Sequence, residues 1–412
     1  MSLLRRRTPA YTDNNVMSTD PILILGGYGS TGFPLARLLL GATDARLMLA
    51  GRTLSKAQAA ADRLNAQFGG QRVTGAFADA SDPVSLRRAF AGVKLVVVAS
   101  STAAFVQPVA AAALAAGGDY LDVQFSTAKL AALQRLAPDI VAAGRCFITD
   151  GGFHPGLPAA MVRYAAPRFD QLESAVVASV IKIDWAGLDV SNATVEEFVG
   201  EFRDFQTLHF KDRRWQKAGG LALMLPTTMD FGGVFGRQPC TPMFLEEMRV
   251  LPQTYPALRE TGFFVGGFNW FVDWCLSPAI LLTLRLAPHR GLRPMARLLR
   301  WGLNTFSRPP YGTLLKLEAK GLKNNAPHAL TMTISHADGY LLTAIPTAAC
   351  LLQYLDGSLR QPGLWLQANV VEPERFMRDV ARLGAEVRID EDRAHSARPA
   401  RQDKGVNHGI RV

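Results

Sequence analysis

Gly27, Gly29 and Gly32 stand at the G-x-G-x-x-G spacing, between the apolar run Ile22 to Leu25 and the apolar-faced stretch Phe33 to Leu40. A strand, a glycine turn and a helix in that order can hold the pyrophosphate of a dinucleotide. Gly27 is expected to make the tight turn, Gly29 to let the pyrophosphate reach the backbone, and Gly32 to let helix and strand pack closely. Tyr28, Ser30 and Thr31 complete the loop, and the free N–H groups of the helix start face negative charge. Pro34 falls in the first helical turn, where its missing N–H costs nothing.

The next strand, Arg46 to Ala50, ends in Gly51 and Arg52. An Asp or Glu near this point would hold a free ribose 2′-hydroxyl. Arg52, Ser55 and Lys56 instead suit a 2′-phosphate, through charge-assisted hydrogen bonds that a carboxylate would oppose. NADP(H) is therefore the expected cofactor. The ordinary alternative for Arg52 and Lys56 is a solvated helix start.

Three residues are placed for proton transfer. His154 follows the sixth expected strand, in the loop from Gly152 to Gly156, and an unperturbed imidazole pKa of about 6.5 suits acid–base work at neutral pH. Asp122 and Asp150 fall at neighbouring strand ends, as carboxylates near the nicotinamide or orienters of His154; capping a turn is their ordinary role. Ser100 and Ser101 are expected to touch the ribose or nicotinamide side. Asp79 is expected at the adenine edge or as a helix cap. No tyrosine has lysine four residues on, which excludes the Tyr-x-x-x-Lys relay of short-chain dehydrogenases. No His or Cys spacing points to a metal.

These residues need a doubly wound parallel sheet to converge. Strands and helices alternate from Pro21 to Asp150, with helices over 55–68, 83–90, 106–116 and 127–143, and strands over 72–77, 94–99, 120–123 and 146–149. That gives six strands. Beyond Asp150 the alternation breaks. A strand is expected over 171–185, a turn over 187–191, a helix over 193–205, irregular structure over 219–270, paired strands over 314–319 and 329–335, and helices over 343–356 and within 371–383.

With 412 residues and 48% hydrophobic composition, two cored domains are expected. The net charge of +10 is partly terminal and comes without a nucleic-acid motif, so no nucleic-acid partner is expected. Four scattered cysteines suit a reduced compartment, and a cytoplasmic location is expected. Met17 reads as the biological start, with 1–16 an upstream extension. The segment 276–303 carries Arg285, Arg290, Arg293, Arg297 and Arg300 with no acidic residue. It reads as a helical pair packed on its own domain or a second subunit, or as a peripheral contact with anionic lipid.

Taken together, residues 24–32, 50–53, 116–123, 152–158 and 338–340 resemble saccharopine dehydrogenase-like proteins. The resemblance covers most of 20–385, is specific in the first domain and at 152–158, and is thin across 200–310. It implies a Rossmann domain joined to an α+β domain with a mixed sheet, whose last helices return to the first domain. The expected boundaries are a flexible extension over 1–18, the NADP domain over 19–152, a substrate and dimerisation domain over 153–340, returning helices over 341–387 and, from its charged aperiodic sequence, a disordered tail over 388–412. A homodimer acting on a small molecule is expected. Members reduce imines of amino acids or, as trans-acting enoyl reductases, conjugated alkenes in lipid synthesis. They vary at the position of His154, so a universal catalytic histidine is not implied. Two functions remain open: a reductase of an imine, carbonyl or conjugated alkene, and a nucleotide-binding protein without turnover attached to a membrane or partner through 262–306. Phe202, Phe231, Phe263 and Trp270 in an aromatic-rich stretch lean towards an apolar substrate.

Overall fold

The computed structural model describes residues 20–185, 195–196, 199–200, 202, 206–218, 227–287 and 290–393. The extension over 1–18, the turn over 187–191, most of the helix expected over 193–205 and the chain beyond 393 lie outside them.

The first domain alternates β1 (Ile22–Leu25), α1 (Gly32–Ala42), β2 (Leu47–Gly51), α2 (Leu54–Phe68), β3 (Val73–Phe77) and α3 (Pro83–Phe90). It continues with β4 (Leu95–Val98), α4 (Val106–Ala115), β5 (Asp119–Asp122), α5 (Thr127–Ala142), β6 (Cys146–Thr149) and α6 (Pro158–Ala165). Strands β1, β4 and β6 are buried at every position, as parallel strands covered on both faces must be. Helix α1 buries Leu35, Ala36, Leu39 and Leu40, one stripe at helical spacing.

The second domain contributes β7 (Gln171–Lys182), β8 (Leu208–Lys211), β9 (Arg214–Lys217), β10 (Thr227–Asp230), β11 (Arg237–Pro242) and β12 (Glu260–Gly266). After them come α7 (Ser277–Leu286), α8 (Leu292–Phe306), β13 (Gly312–Lys323), β14 (Ala326–His336) and α9 (Gly339–Leu355). The chain then adds β15 (Gly363–Leu366), α10 (Pro373–Arg382) and β16 (Glu386–Arg393).

The first sheet has the order β15-β6-β5-β4-β1-β2-β3, parallel throughout. It therefore has seven strands, one more than the alternation to Asp150 provides. Strand order reverses between β1 and β4, and ligands of such sheets bind in the crevice at that point. The second sheet is mixed, in the order β10-β11-β12-β7-β13-β14-β16, with β8 on β12 and β9 on β8. Among the described residues only the β12–β7 pairing is parallel. Asn324 and Asn325 join β13 to β14 with φ of 51° and 60°, the two left-handed residues that a tight hairpin requires. The tail expected to be disordered from 388 is instead strand as far as Arg393, paired antiparallel to β14. Val387 and Ile389 alternate there with charged residues, the pattern of an edge strand.

A single apolar cluster joins the domains. It runs from Leu35 and Leu39 of α1 through Ile345 and Leu351 of α9 and Phe376 of α10 to Leu315 and Met332 of the second sheet. Helix α9 packs on both α1 and α10. This shared core fixes the second sheet over the ends of β4, β5 and β6.

Candidate active site

The glycine turn begins one residue earlier than its spacing implies. Gly26, not Gly27, has the left-handed φ of 85°, and a Cβ there would lie 2.8 Å from the Ala99 carbonyl oxygen. Gly27 is needed instead for packing, because its Cβ would meet Leu49 at 2.9 Å. Gly32 matches its expected role, with a Cβ reaching to 2.2 Å from the Gly26 oxygen. Around Gly29 the only close neighbour is that same oxygen, at 3.1 Å. The position is open on the side where a pyrophosphate would approach. Thr31 at the start of α1 makes no side-chain cap, so the helix N-terminus keeps donors for an anion.

Beside this loop the Tyr28 ring lies over Gly51. A Cβ on Gly51 would come within 2.7 Å of that ring, so a carboxylate could not stand there without displacing Tyr28. The Thr53 amide donates to the Tyr28 hydroxyl at 3.2 Å. Arg52, Ser55 and Lys56 are exposed at the start of α2, which also lacks a side-chain cap. A cationic, uncapped helix start fits a 2′-phosphate. Asp79 accepts from the Ser81 amide and hydroxyl at 2.9 and 2.7 Å, which holds its carboxyl below the usual value, with Arg52 adding to the effect. The α3 cap belongs to Asp82 instead, which accepts from the Val84 amide.

Asp122 and Asp150 meet a partner that the sequence reading did not single out. Lys129, on the first turn of α5, is 1% exposed, and its ammonium donates to Asp122 Oδ1 at 2.7 Å, Asp150 Oδ1 at 2.6 Å and Thr149 Oγ1 at 2.8 Å. Thr149 donates in turn to Asp122 Oδ2 at 2.7 Å. Burial raises the Asp150 pKa, Lys129 opposes that shift, and the nearby Asp122 charge adds to it. Neither carboxylate reaches the cavity described below. The structure thus gives both a buried structural partner where the spacing of strand ends points to proton transfer.

His154 is held in a loop clamped from two sides. Glu247, fully buried, accepts from the Gly156 and Ala159 amides at 2.6 and 3.0 Å, so a carboxylate from the second domain caps α6. Burial pushes the Glu247 carboxyl up to about 8, while those two amides act in the other direction. Gln367 donates to the Gly152 oxygen at 3.2 Å. The imidazole packs against the Phe153 and Phe263 rings, with centroids at 3.8 and 5.4 Å. Both ring nitrogens are buried without a partner. Burial pushes the pKa down to about 4 rather than leaving it near neutrality, so His154 is uncharged at neutral pH.

A cavity of about 400 Å³ connects these parts. Thr31, Ser100 and Ser101 form the side next to the glycine loop, and His154 and Gln124 the base. Gln124 donates to the Ser100 oxygen and to Thr102 Oγ1 at 3.0 Å, tying the ends of β4 and β5 together. The rest of the wall is mostly apolar and comes from the second domain, with Ile181, Met243, Val265 and Leu281 among it. No Arg or Lys lines the cavity among the described residues. Besides His154, two ionisable groups among the described residues do: Asp273 and Tyr340. Burial pushes the Asp273 carboxyl up to about 7, against the lowering effects of the Phe268, Gly267 and Asn269 amides and of the Lys182 charge. The Tyr340 hydroxyl is also raised by burial.

The glycine loop, Ser100, Ser101 and His154 therefore share one crevice. Arg52, Ser55 and Lys56 lie outside the cavity lining at the exposed start of α2, with Arg52 acting on Asp79, and Asp122 and Asp150 are buried with Lys129. Glu247 gave no signal in the sequence because it falls in an aperiodic segment and acts on the Gly156 loop, and Asp273 gave none because its environment comes from β7 and the loop after β12. Lys129 gave one: it shares a helical face with Ala132 and Leu133, where a charge demands a buried partner.

Residues 22–145 match the family described as saccharopine dehydrogenase NADP binding domain. No curated protein matches the chain by sequence. Among solved structures, saccharopine dehydrogenase (L-Glu forming) from Saccharomyces cerevisiae is 16% identical, with 90% of this chain and 100% of that chain covered and a TM-score of 0.66. DAP dehydrogenase of C. glutamicum in complex with DAP is 12% identical over 89% of this chain and 99% of that one, with a TM-score of 0.43. The first of these likenesses shows the fold, and the second is too loose to carry an argument. Residues 22–145 thus carry a saccharopine dehydrogenase NADP-binding domain, within a chain whose fold is like that of saccharopine dehydrogenase.

Proposed function

We propose that the protein is an NADPH-dependent reductase of an apolar carbonyl, imine or conjugated alkene. The observation that carries this reading is the cavity: it opens beside the glycine loop and is walled by apolar side chains, with no cation among the described residues to receive an amino-acid carboxylate. The residues fit the cofactor, since Gly29 and the uncapped start of α1 leave room and donors for a pyrophosphate. A ribose-binding carboxylate at Gly51 would have to displace the Tyr28 ring, and Arg52, Ser55 and Lys56 offer charge to a 2′-phosphate. When bound, the nicotinamide supplies hydride.

The chain's own task is to place the acceptor and deliver one proton. Asp273, whose carboxyl burial raises to about 7 at the cavity wall, keeps a protonated fraction near neutral pH and gives that proton to the atom that gains charge. His154, neutral, offers a ring N–H as a hydrogen bond to the acceptor, which satisfies an otherwise orphaned donor. Lys129, Asp122 and Asp150 keep the ends of β5 and β6 rigid beneath the site. The continuous space from Ser100 to Asp273 favours turnover over a purely nucleotide-binding role.

The test is NADPH consumption with two acceptor panels, one of apolar aldehydes, imines and enones and one of 2-oxo acids paired with amino acids. Consumption confined to the second panel would refute the apolar reading.

A further inference from the structure

Between Phe271 and Leu286 the chain runs as one helical stretch, in which a wider turn over Val272–Leu276 leads directly into α7. Three stripes at four-residue spacing divide its surface. Val272, Leu276, Ile280 and Leu284 are buried against Ala296, Leu299 and Leu303 of α8. Asp273, Ser277 and Leu281 line the cavity. Trp274, Leu282 and Leu286 continue a stripe begun by Trp270, and all four face solvent, Leu286 at 76% exposure. Trp301 of α8 adds to this face, because Phe271 and Phe306 hold it beside Trp270.

Scattered exposed apolar residues are ordinary, but a contiguous face of tryptophans and leucines marks a contact. The surrounding charge says with what. From 274 to 317 the chain has six arginines and no Asp or Glu, and Arg285, Arg290 and Arg297 are exposed. A second copy of the same face would bring those arginines together and repel. Tryptophan and leucine on one helix edge, with arginines exposed along the same helical pair, instead match the interface of an anionic bilayer, with rings at headgroup depth and cations on phosphates. No helix among the described residues is long and apolar enough to cross a membrane, so the contact would be peripheral.

We propose that the stripe from Trp270 to Leu286, with Arg285, Arg290 and Arg297, docks on an anionic phospholipid surface and admits apolar substrate from it into the cavity past Leu281. The substrate route rests on the apolar-acceptor reading above; the docking face does not. The stripe and the cavity wall are neighbouring edges of one helix, so a docked protein holds the cavity next to the lipid.

Cys275 lies within this face and is exposed, whereas Cys146, Cys240 and Cys350 are buried, so a polarity-sensitive thiol fluorophore can be placed there on the unaltered chain. Its emission is expected to shift to the blue with vesicles containing phosphatidylglycerol, much less with phosphatidylcholine alone, and to revert as salt screens the arginines. Leu282→Ser with Leu286→Ser, and separately Arg285→Glu with Arg297→Glu, should each weaken vesicle binding about tenfold or more while NADPH affinity is unchanged. No shift, or a shift indifferent to both pairs, overturns the docking face. Self-association that these pairs abolish, without vesicle binding, overturns it in favour of a second copy. Vesicle binding without reduction of any detergent-dispersed apolar acceptor leaves the docking face standing and overturns the substrate route.

Discussion

Replacing Lys129 by methionine isolates the forces under the site. Methionine fills nearly the same volume, so little cavity is created, but the ammonium that touches Asp122, Asp150 and Thr149 is lost. Asp122 and Asp150 are 0% and 4% exposed, so water cannot replace it. Breaking a buried pair in this way costs about 3–5 kcal/mol, a large share of a net stability of about 5–15 kcal/mol. The loss depends on pH in a direction fixed by Asp150. Burial already raises its pKa with Lys129 in place, and removing the cation raises it further. A carboxyl whose folded pKa lies above its unfolded value keeps its full stability below the unfolded value and loses it as pH rises through the folded one. The deficit of Lys129→Met should therefore stay level while Asp150 is protonated in both proteins, then grow by about 1.4 kcal/mol per pH unit once pH passes the parent's folded Asp150 pKa, until the variant's higher one is passed. Urea unfolding of parent and variant at acidic, neutral and mildly alkaline pH measures it. Adding Asp150→Asn should restore most of the loss at the higher pH. A deficit below about 1 kcal/mol, or one independent of pH, would refute the reasoning.

Gly29→Val should abolish NADPH binding without changing the melting temperature, since only the Gly26 oxygen lies near the added side chain; retained binding would remove this loop from the cofactor site. Asp273→Asn should lower kcat by about 10²–10⁴. The parent's kcat should fall as pH rises through about 7, where the donor carboxyl loses its proton; the variant's should be flat, and an unchanged profile would discharge Asp273. His154→Phe should cost about tenfold to a hundredfold in kcat/KM with the shape of the pH profile unchanged, because the imidazole is already neutral there. Glu247→Ala should lower stability by about 1–3 kcal/mol per amide left unmet at Gly156 and Ala159, read by thermal unfolding.

The nucleotide domain was legible because most of its strands are apolar runs beside amphipathic helices, β3 and β5 being more mixed. The expected bounds of α3 and β6 coincide with the observed ones, and those of α2, β3, α4 and α5 fall within one residue. Strand β15 was not legible: four residues, Gly363 to Leu366, join β6 only after the whole second domain has intervened. The glycine turn was misplaced by one residue because sequence spacing cannot distinguish a left-handed glycine from one that packs on Leu49. The proton chemistry was the least legible part. Strand-end position made Asp122 and Asp150 attractive, but their burial with Lys129 depends on how α5 lies across the sheet. An unperturbed imidazole pKa made His154 attractive, but two phenylalanine rings desolvate it. Asp273 falls on the cavity edge of a helical stretch, but its proton affinity was not legible, since its environment is assembled from β7, β12 and the loop after it.

The central claim is that this crevice binds NADPH through Arg52 and its neighbours. Equilibrium titration of the parent and of Arg52→Ala with NADPH and NADH, followed by nicotinamide fluorescence, tests it most directly. The parent should bind NADPH at least about tenfold tighter than NADH, and Arg52→Ala should erase most of that difference, as the loss of one charge-assisted contact of about 1.5–3 kcal/mol requires. Equal affinities in the parent, or a preference for NADPH untouched by the substitution, would contradict the account.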